Sequence, residues 1–227
     1  MDVFKGLTWF TKDSKFINKL LILSGLALSC ILILPVFFVA PFFLGYLIDT
    51  IRSVQDSEYE LPELKYMEQF KKGVFYMIFV IIFFVVFGVI EFIIEKITGG
   101  LLYKTVRTSY TNSSYSFSAN YTVIGFVWNI LKSILVIYAQ VIYAKTNTFA
   151  SLFNLGNYRV MVQNNGVKPI LIQFIFPFVA MPVLLVGALA LVVGMVPAAI
   201  VCSFMYAGLF GQLKTDGVKG LVVAFAV

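Results

Sequence analysis

Long apolar runs separated by short polar segments dominate the chain. Residues 17–51 are almost continuously apolar, interrupted by Pro35 and Pro41. One helix of this length would measure about 50 Å, whereas the hydrocarbon core of a membrane is about 30 Å thick. Because proline removes a backbone donor and disfavours helix at the residue before it, the pattern predicts two helices, at about 17–34 and 42–51. The second helix is short, so this first pair either spans the membrane or forms a re-entrant hairpin.

The remaining apolar runs predict four more membrane helices. Residues 74–94 are mostly Phe, Ile and Val, and this length is enough to cross a bilayer. Residues 123–144 form the next span, and the last long run divides into spans at about 170–185 and 187–210 with little loop between them. The sequence therefore predicts an all-α integral membrane bundle of about six helices, folded as a single polytopic domain over residues 1–227.

The polar segments between these runs predict interfacial structure. Residues 1–16 mix apolar side chains with lysines, a pattern typical of an amphipathic segment in the lipid headgroup layer. Residues 55–72 predict a cytoplasmic loop with a short amphipathic helix, which is either a solvated interfacial loop or a docking surface for a partner. Residues 145–168 predict short interfacial helices on the same side. Residues 99–122 predict a loop rich in Ser, Tyr, Asn and Thr on the opposite side.

The distribution of basic residues predicts the orientation. With six crossings, thirteen of the seventeen Lys and Arg residues lie on the side of both termini. Because cytoplasmic loops are enriched in these residues, we predict a multi-pass protein of the cell membrane with its N-terminus and C-terminus in the cytoplasm. The segment 99–122 then lies outside. Its two N-glycosylation patterns, at Asn112 and Asn120, are weak evidence for the same orientation.

Composition supports a membrane protein and disfavours several functions. Apolar residues make up 60% of the chain and charged residues 12%, with a mean hydropathy of +0.94, whereas soluble domains typically carry about 25% charged residues. The net charge of +6 is explained by basic residues in cytoplasmic loops, and no basic face interleaved with aromatics indicates nucleic-acid binding. The chain has no histidine and two cysteines, both in apolar runs. We therefore predict no catalytic residue, no cofactor and no metal site.

Polar residues inside two predicted spans form the first candidate site. Glu91 lies near the end of the third span, and Asn129, Lys132 and Gln140 lie in the fourth, on or beside one stripe. Such residues normally face the interior of a bundle, and an intramembrane lysine indicates a functional site by default. If the two helices are antiparallel, Lys132 can reach Glu91. The pair is then either an ion pair that locks two helices or part of an ion or substrate path.

The last predicted span carries the second candidate site, a small-residue face for helix packing. Ser203, Ala207 and Gly211 follow one another at four-residue spacing, and Gly208 lies beside them. Small residues allow helix backbones to approach closely in a membrane. We therefore expect close helix contact at this face.

Six short motifs, spread over most of the chain, carry a resemblance to other proteins. They are Trp9-Phe10 with Lys12-Asp13, Gly45-Tyr46-Leu47-Ile48 running to Arg52, Leu61-Pro62-Glu63, Phe70-Lys-Lys-Gly73, Tyr143-Ala144-Lys145 running to Phe153, and Phe210-Gly211-Gln212-Leu213. In these motifs the chain resembles a widespread bacterial and archaeal family of polytopic membrane proteins known only as a domain of unknown function. The resemblance implies a bundle of about six helical elements with interfacial helices, and it implies no activity and no functional residues.

Three classes of function remain open. The sequence favours a non-enzymatic membrane protein that acts as a scaffold or accessory subunit, in the lipid bilayer and with other membrane subunits in a homo- or hetero-oligomer. The alternative is a channel or transporter subunit with a polar path near Lys132 and Glu91. An intramembrane enzyme is disfavoured because no nucleophile and base stand at a suggestive spacing. Polar residues converging on a hydrated cavity would favour the channel, and a dry bundle with an apolar outer groove would favour the scaffold.

Overall fold

The protein is built almost entirely from α-helices. The computed structural model describes residues 3–29, 33–56, 60–105, 119–189 and 191–220. Short 3-10 turns occupy Trp9–Lys12 and Phe149–Phe153. The α-helices within the described residues are α1 (Val3–Thr8), α2 (Phe16–Ser29), α3 (Ile33–Gln55), α4 (Tyr66–Thr98), α5 (Val123–Thr146), α6 (Leu155–Asn165), α7 (Lys168–Leu189) and α8 (Leu191–Phe210).

Four helical segments are long and apolar enough to cross a membrane. They are Phe37–Gln55, Tyr66–Thr98, Val123–Thr146 and Lys168–Ala188. Phe16–Ser29 and Gly194–Phe210 are also apolar helices, but they are shorter. The helical character predicted from the sequence is therefore confirmed, and these four helices are compatible with a membrane protein. Length and composition support four of the six predicted crossings in the described part of the chain.

The first pair of helices divides differently from the prediction. Helix α2 ends at Ser29 and α3 begins at Ile33, so α3 has 23 residues and replaces the short helix expected at 42–51. Pro35 lies in the first turn of α3, where a missing N–H removes no intrahelical hydrogen bond. Pro41 lies inside α3 and does not end it. The prediction that both prolines would break the apolar run was therefore wrong, because α3 contains Pro35 in its first turn and continues through Pro41.

Helix α4 begins earlier than the predicted span 74–94. It has 33 residues, which corresponds to a length of about 50 Å. The amphipathic helix expected in segment 55–72 is the beginning of α4. As a consequence, the connection between α3 and α4 is short and its described part comprises residues 56 and 60–65.

The loop expected at residues 99–122 begins and ends in a small antiparallel sheet. Strand β1 (Tyr103–Thr105) pairs with β2 (Ala119–Tyr121), although the sequence predicts no strand there. Asn120 lies in β2, and Asn112 lies outside the described residues. The segment 145–168 contains short helices, as predicted: the 3-10 turn at Phe149–Phe153 and α6.

The chain divides into two compact units. The first comprises Met1–Ile78 and Ile137–Val227, and the second comprises Phe79–Val136. Trp9 and Phe10 are each 3% exposed in the first unit, so the N-terminal segment, expected to lie in the headgroup layer, inserts two aromatic side chains into the protein. The core cluster of this unit consists of Trp9, Phe10, Leu23, Phe42, Tyr46, Leu61, Ile200 and Phe204.

Candidate functional site

Helices α3 and α4 cross in direct backbone contact at two glycines. A Cβ atom on Gly45 would overlap the carbonyl of Gln69 in α4, and a Cβ atom on Gly73 would overlap the carbonyl of Pro41 in α3. Glycine is the one residue type that permits this approach. The crossing explains why glycines stand in the motifs that begin at Gly45 and end at Gly73. It also holds the middle of α3 against the first turns of α4.

The side chain of Gln69 stabilises the connection between α3 and α4. It is fully buried, its amide donates to the carbonyl of Glu63 at 2.8 Å, and its oxygen accepts from the N–H of Lys65 at 3.1 Å. The hydroxyl of Tyr46 donates to the carbonyl of Pro62 at 3.4 Å. The Leu61-Pro62-Glu63 motif is therefore hydrogen-bonded to side chains of both α3 and α4.

Asp13 joins the N-terminal segment to the same connection. Its carboxylate accepts hydrogen bonds from the N–H groups of Lys15 at 2.7 Å and of Leu61 at 3.0 Å. It also pairs with Lys19 Nζ at 2.8 Å, and the side chain of Asp13 is only 3% exposed. Burial alone would raise the pKa of Asp13, but the hydrogen bonds from Lys19 and the two backbone groups outweigh it and lower that pKa below 3.8.

A polar cleft of about 440 Å³ lies where α3 ends and α4 begins. Its α3 side consists of residues three or four positions apart, which share one face of the helix. Its other side comes from the connection and from the first turns of α4. The lining residues are Asp49, Arg52, Ser53, Asp56, Pro62, Glu63, Lys65, Glu68 and Lys72.

Both signs of charge are present in the polar cleft. Lys72 Nζ pairs with Asp49 at 2.6 Å, while Asp56 lies 3.6 Å from both Arg52 Nε and Lys145 Nζ. The cleft contains four carboxylates. Even so, within the described ranges no group of three or more Cys, Asp or Glu side chains is placed to hold a metal ion.

Glu91 and Lys132, the charged members of the predicted intramembrane network, form an ion pair in the second unit. The indole N–H of Trp128 donates to the same Glu91 oxygen at 2.8 Å. Sequence reasoning missed Trp128, although its position four residues before Lys132 places it on the same helix face. The side chains of Lys132 and Glu91 are 13% and 17% exposed, so the pair is largely shielded.

The other two members of that network bond elsewhere. The amide of Asn129 donates to the carbonyl of Gly125 in its own helix at 2.8 Å. Gln140 belongs to the first unit, where its side-chain oxygen accepts from the hydroxyl of Tyr206 at 2.7 Å. The four predicted residues therefore include one ion pair, and each of the remaining two has its own hydrogen-bond partner.

Three residues of the predicted small-residue face lie at close contacts within the first unit. A Cβ atom on Gly208 would overlap the carbonyl of Gly6 in α1, and one on Gly211 would lie 2.7 Å from the side chain of Val54 in α3. Ala207 is fully buried. Ser203 is exposed, and its hydroxyl donates to the carbonyl of Ala199, so it takes no part in these contacts.

An apolar crevice of about 510 Å³ lies between α7 and α8. Small residues and prolines from both helices form much of its wall. Glu91, Asn129, Lys132 and Gln140 line neither this crevice nor the polar cleft. The residues of the crevice are Pro182, Val183, Val186, Gly187, Gly194, Pro197, Ala198 and Val201.

Asp13 and Asp49 form ion pairs with Lys19 and Lys72, and sequence reasoning included neither among the candidate site residues. Asp49 did leave a signal, because it is a charged residue in an apolar run, three positions before Arg52. Asp13 left only its place in the motif of Trp9-Phe10 with Lys12-Asp13, because its partner Leu61 is 48 residues away and no local spacing links the two.

Comparison with known proteins identifies a family but no function. Neither the curated proteins nor the solved structures gave a match. A family described as proteins of unknown function, DUF4013, matches residues 28–193. This range includes the glycine crossing, the polar cleft and the Glu91–Lys132 pair, whereas the motifs at Trp9 and Phe210 lie outside it. Because the match covers well over half of the chain, the chain belongs to the DUF4013 family of proteins of unknown function.

Proposed function

We propose that this protein is a non-enzymatic scaffold or accessory subunit of a membrane complex. The observation that carries the proposal is the contrast between its polar and apolar sites. Glu91, Lys132 and Gln140 are bonded to other side chains of the protein, which supports a structural role for them. The apolar crevice, in contrast, has exposed side chains at its rim, such as Val186, which is 69% exposed.

The crevice fits a membrane helix of a partner subunit. It lies between two apolar helices, so its occupant must be apolar along the same length. In its wall, Gly187 lies directly against Gly194 and Ala198, so these small residues hold α7 close to α8. The partner helix would contact the exposed rim, where Pro182 and Val186 lie. The partner is either a second copy of this chain or a different membrane subunit.

A tryptophan in the crevice is expected to release the partner. Val186→Trp would fill the crevice that Val186 lines, whereas Leu185→Trp, one position away and 61% exposed, places the same side chain outside it. Native mass spectrometry after purification in mild detergent should show a partner with the unchanged protein and with Leu185→Trp, and at least about tenfold less with Val186→Trp. Equal partner retention by the two variants would contradict docking at the crevice.

We also propose six crossings of the cell membrane with both termini in the cytoplasm. The four candidate spans, counted with the shorter apolar helices α2 and α8, make six crossings. An even number of crossings supports the proposal that both ends of the chain lie on one side. Cysteines introduced into a cysteine-free chain test this arrangement. A membrane-impermeant thiol reagent should label Lys96→Cys in intact cells and Arg159→Cys only after permeabilisation. Labelling of Arg159→Cys in intact cells would contradict the orientation.

A channel or transporter subunit is the second candidate. Two observations favour it: the charged pair Glu91–Lys132 in apolar helices, and the prolines inside α7 and α8, which leave backbone carbonyls without a helical donor. Ion flux into liposomes that Lys132→Ala and Glu91→Ala abolish would favour this function over the scaffold. Flux that neither substitution changes would argue against a path at the pair.

A further inference from the structure

The polar cleft lies at the level of lipid headgroups. Helix α4 is about 50 Å long, about 20 Å more than the hydrocarbon core of a bilayer. Residues 74–94 of α4 are nearly all apolar, whereas its first turns carry Glu68, Lys71 and Lys72. The apolar part fits the hydrocarbon, so the charged first turns extend beyond it. These turns form one wall of the cleft, which is therefore bordered by the headgroup layer.

The charges of the cleft match a zwitterion better than an ion of one sign. Four carboxylates and three cationic side chains line it. An anion would face the repulsion of the carboxylates, and a cation that of the lysines and the arginine, whereas a molecule with both charges can place each beside its opposite. The volume of about 440 Å³ falls within the range of about 300–1,000 Å³ that is usual for small-molecule sites.

Several of these side chains have hydrogen-bonding capacity to spare. Arg52 has one long contact, from Nε to Asp56 at 3.6 Å, so its guanidinium can still bind an oxyanion. In the part of the chain that the structure describes, the side chains of Glu63, Lys65 and Glu68 form no ion pair. The cleft thus offers two cations for a phosphate and two carboxylates for an ammonium group.

We propose that the polar cleft binds the headgroup of phosphatidylethanolamine. Its phosphate would lie at Arg52 and Lys65, and its primary ammonium, which has three N–H donors, at Glu63 and Glu68. Choline carries no N–H group and glycerol carries no positive charge, so phosphatidylcholine and phosphatidylglycerol lack one half of this recognition. The acyl chains of the bound lipid would remain in the adjacent leaflet.

Lipid competition measured by native mass spectrometry tests the proposal. The full chain in detergent is mixed with equal amounts of phosphatidylethanolamine, phosphatidylcholine and phosphatidylglycerol. We expect at least about fivefold more bound phosphatidylethanolamine than either other lipid. Glu63→Gln with Glu68→Gln should bring the ratio to phosphatidylcholine close to one. Arg52→Gln with Lys65→Gln should lower the retention of all three lipids.

Matched substitutions control for charge and folding. Glu60→Gln and Lys71→Gln remove the same charges from exposed neighbouring positions that do not line the cleft, and they should leave the lipid ratio unchanged. Glu63, Lys65 and Glu68 are themselves exposed, so their substitution leaves the core intact. Equal retention of the three lipids, or an equal effect of Glu60→Gln, would overturn the proposal. Soluble ethanolamine phosphate carries the same two charged groups and should compete with the lipid. If ethanolamine phosphate displaced the lipid at concentrations well below that of the lipid, the cleft would be reassigned to a soluble ligand.

Discussion

Alanine at Gly73 is expected to destabilise the protein by about 3 kcal/mol, the upper end of the usual cost of overpacking. The added Cβ atom would overlap the carbonyl of Pro41, and a backbone atom inside a helix cannot move aside as a flexible side chain can. Helices α3 and α4 would have to separate, and the polar cleft between them would change shape. Thermal melting followed by circular dichroism in detergent measures the loss.

Gly88→Ala, in the same helix, is the matched control. A Cβ atom at Gly88 meets nothing within 4 Å. Alanine there should leave the melting temperature unchanged or raise it, because alanine favours helix over glycine by up to about 1 kcal/mol. If Gly73→Ala melts at the same temperature as Gly88→Ala, the two backbones are not in contact at the crossing.

Asp13→Asn is expected to cost about 3–5 kcal/mol, the usual range for breaking a buried ion pair. The substitution preserves shape but leaves the ammonium group of Lys19, whose side chain is 12% exposed, without its counter-ion. Asp56→Asn is the control, because Asp56 is 42% exposed and exposed pairs contribute at most about 1 kcal/mol. Similar losses from both substitutions in chemical unfolding would contradict the anchoring role of Asp13.

The same aspartate sets an acid limit on stability. Because folding lowers the pKa of Asp13, its contribution is fully present above the unfolded value of 3.8 and is lost as the pH falls through the folded value. Between neutral pH and a pH well below 3.8, the difference in unfolding free energy between the unchanged protein and Asp13→Asn should therefore shrink. A difference that is constant over this range would show that the charge of Asp13 does not matter.

Hydropathy predicted the long apolar helices because transfer into lipid would act on every residue of a span at once. The runs at 74–94 and 123–144 correspond to α4 and α5, with errors mainly at their ends. The first pair was harder to predict, because a proline breaks a helix only where its missing N–H or its ring conflicts with the turn before it. Pro41 lies inside α3 with its carbonyl against Gly73 of α4, a contact that no local sequence pattern predicts.

The candidate sites were likewise predictable only in part, depending on whether a local pattern marks the residues. Glu91 and Lys132 were found because a charge in an apolar run is conspicuous and the helix period restricts its neighbours. The bonds from Asp13 to Leu61 and from Trp9 to the carbonyl of Phe204 join residues 48 and 195 positions apart. No local pattern encodes contacts of this kind. They arise when separate helices pack, and the sequence supplies only the side chains that make them.

The hydrogen bonds of the two tryptophans give each compact unit its own optical reporter. The chain contains only Trp9 and Trp128, one in each unit. The indole of Trp9 donates to the Phe204 carbonyl at 3.2 Å, and that of Trp128 donates to Glu91. Chains that retain one tryptophan each would therefore separate two events by fluorescence: release of the N-terminal segment from α8, and opening of the Glu91–Lys132 pair.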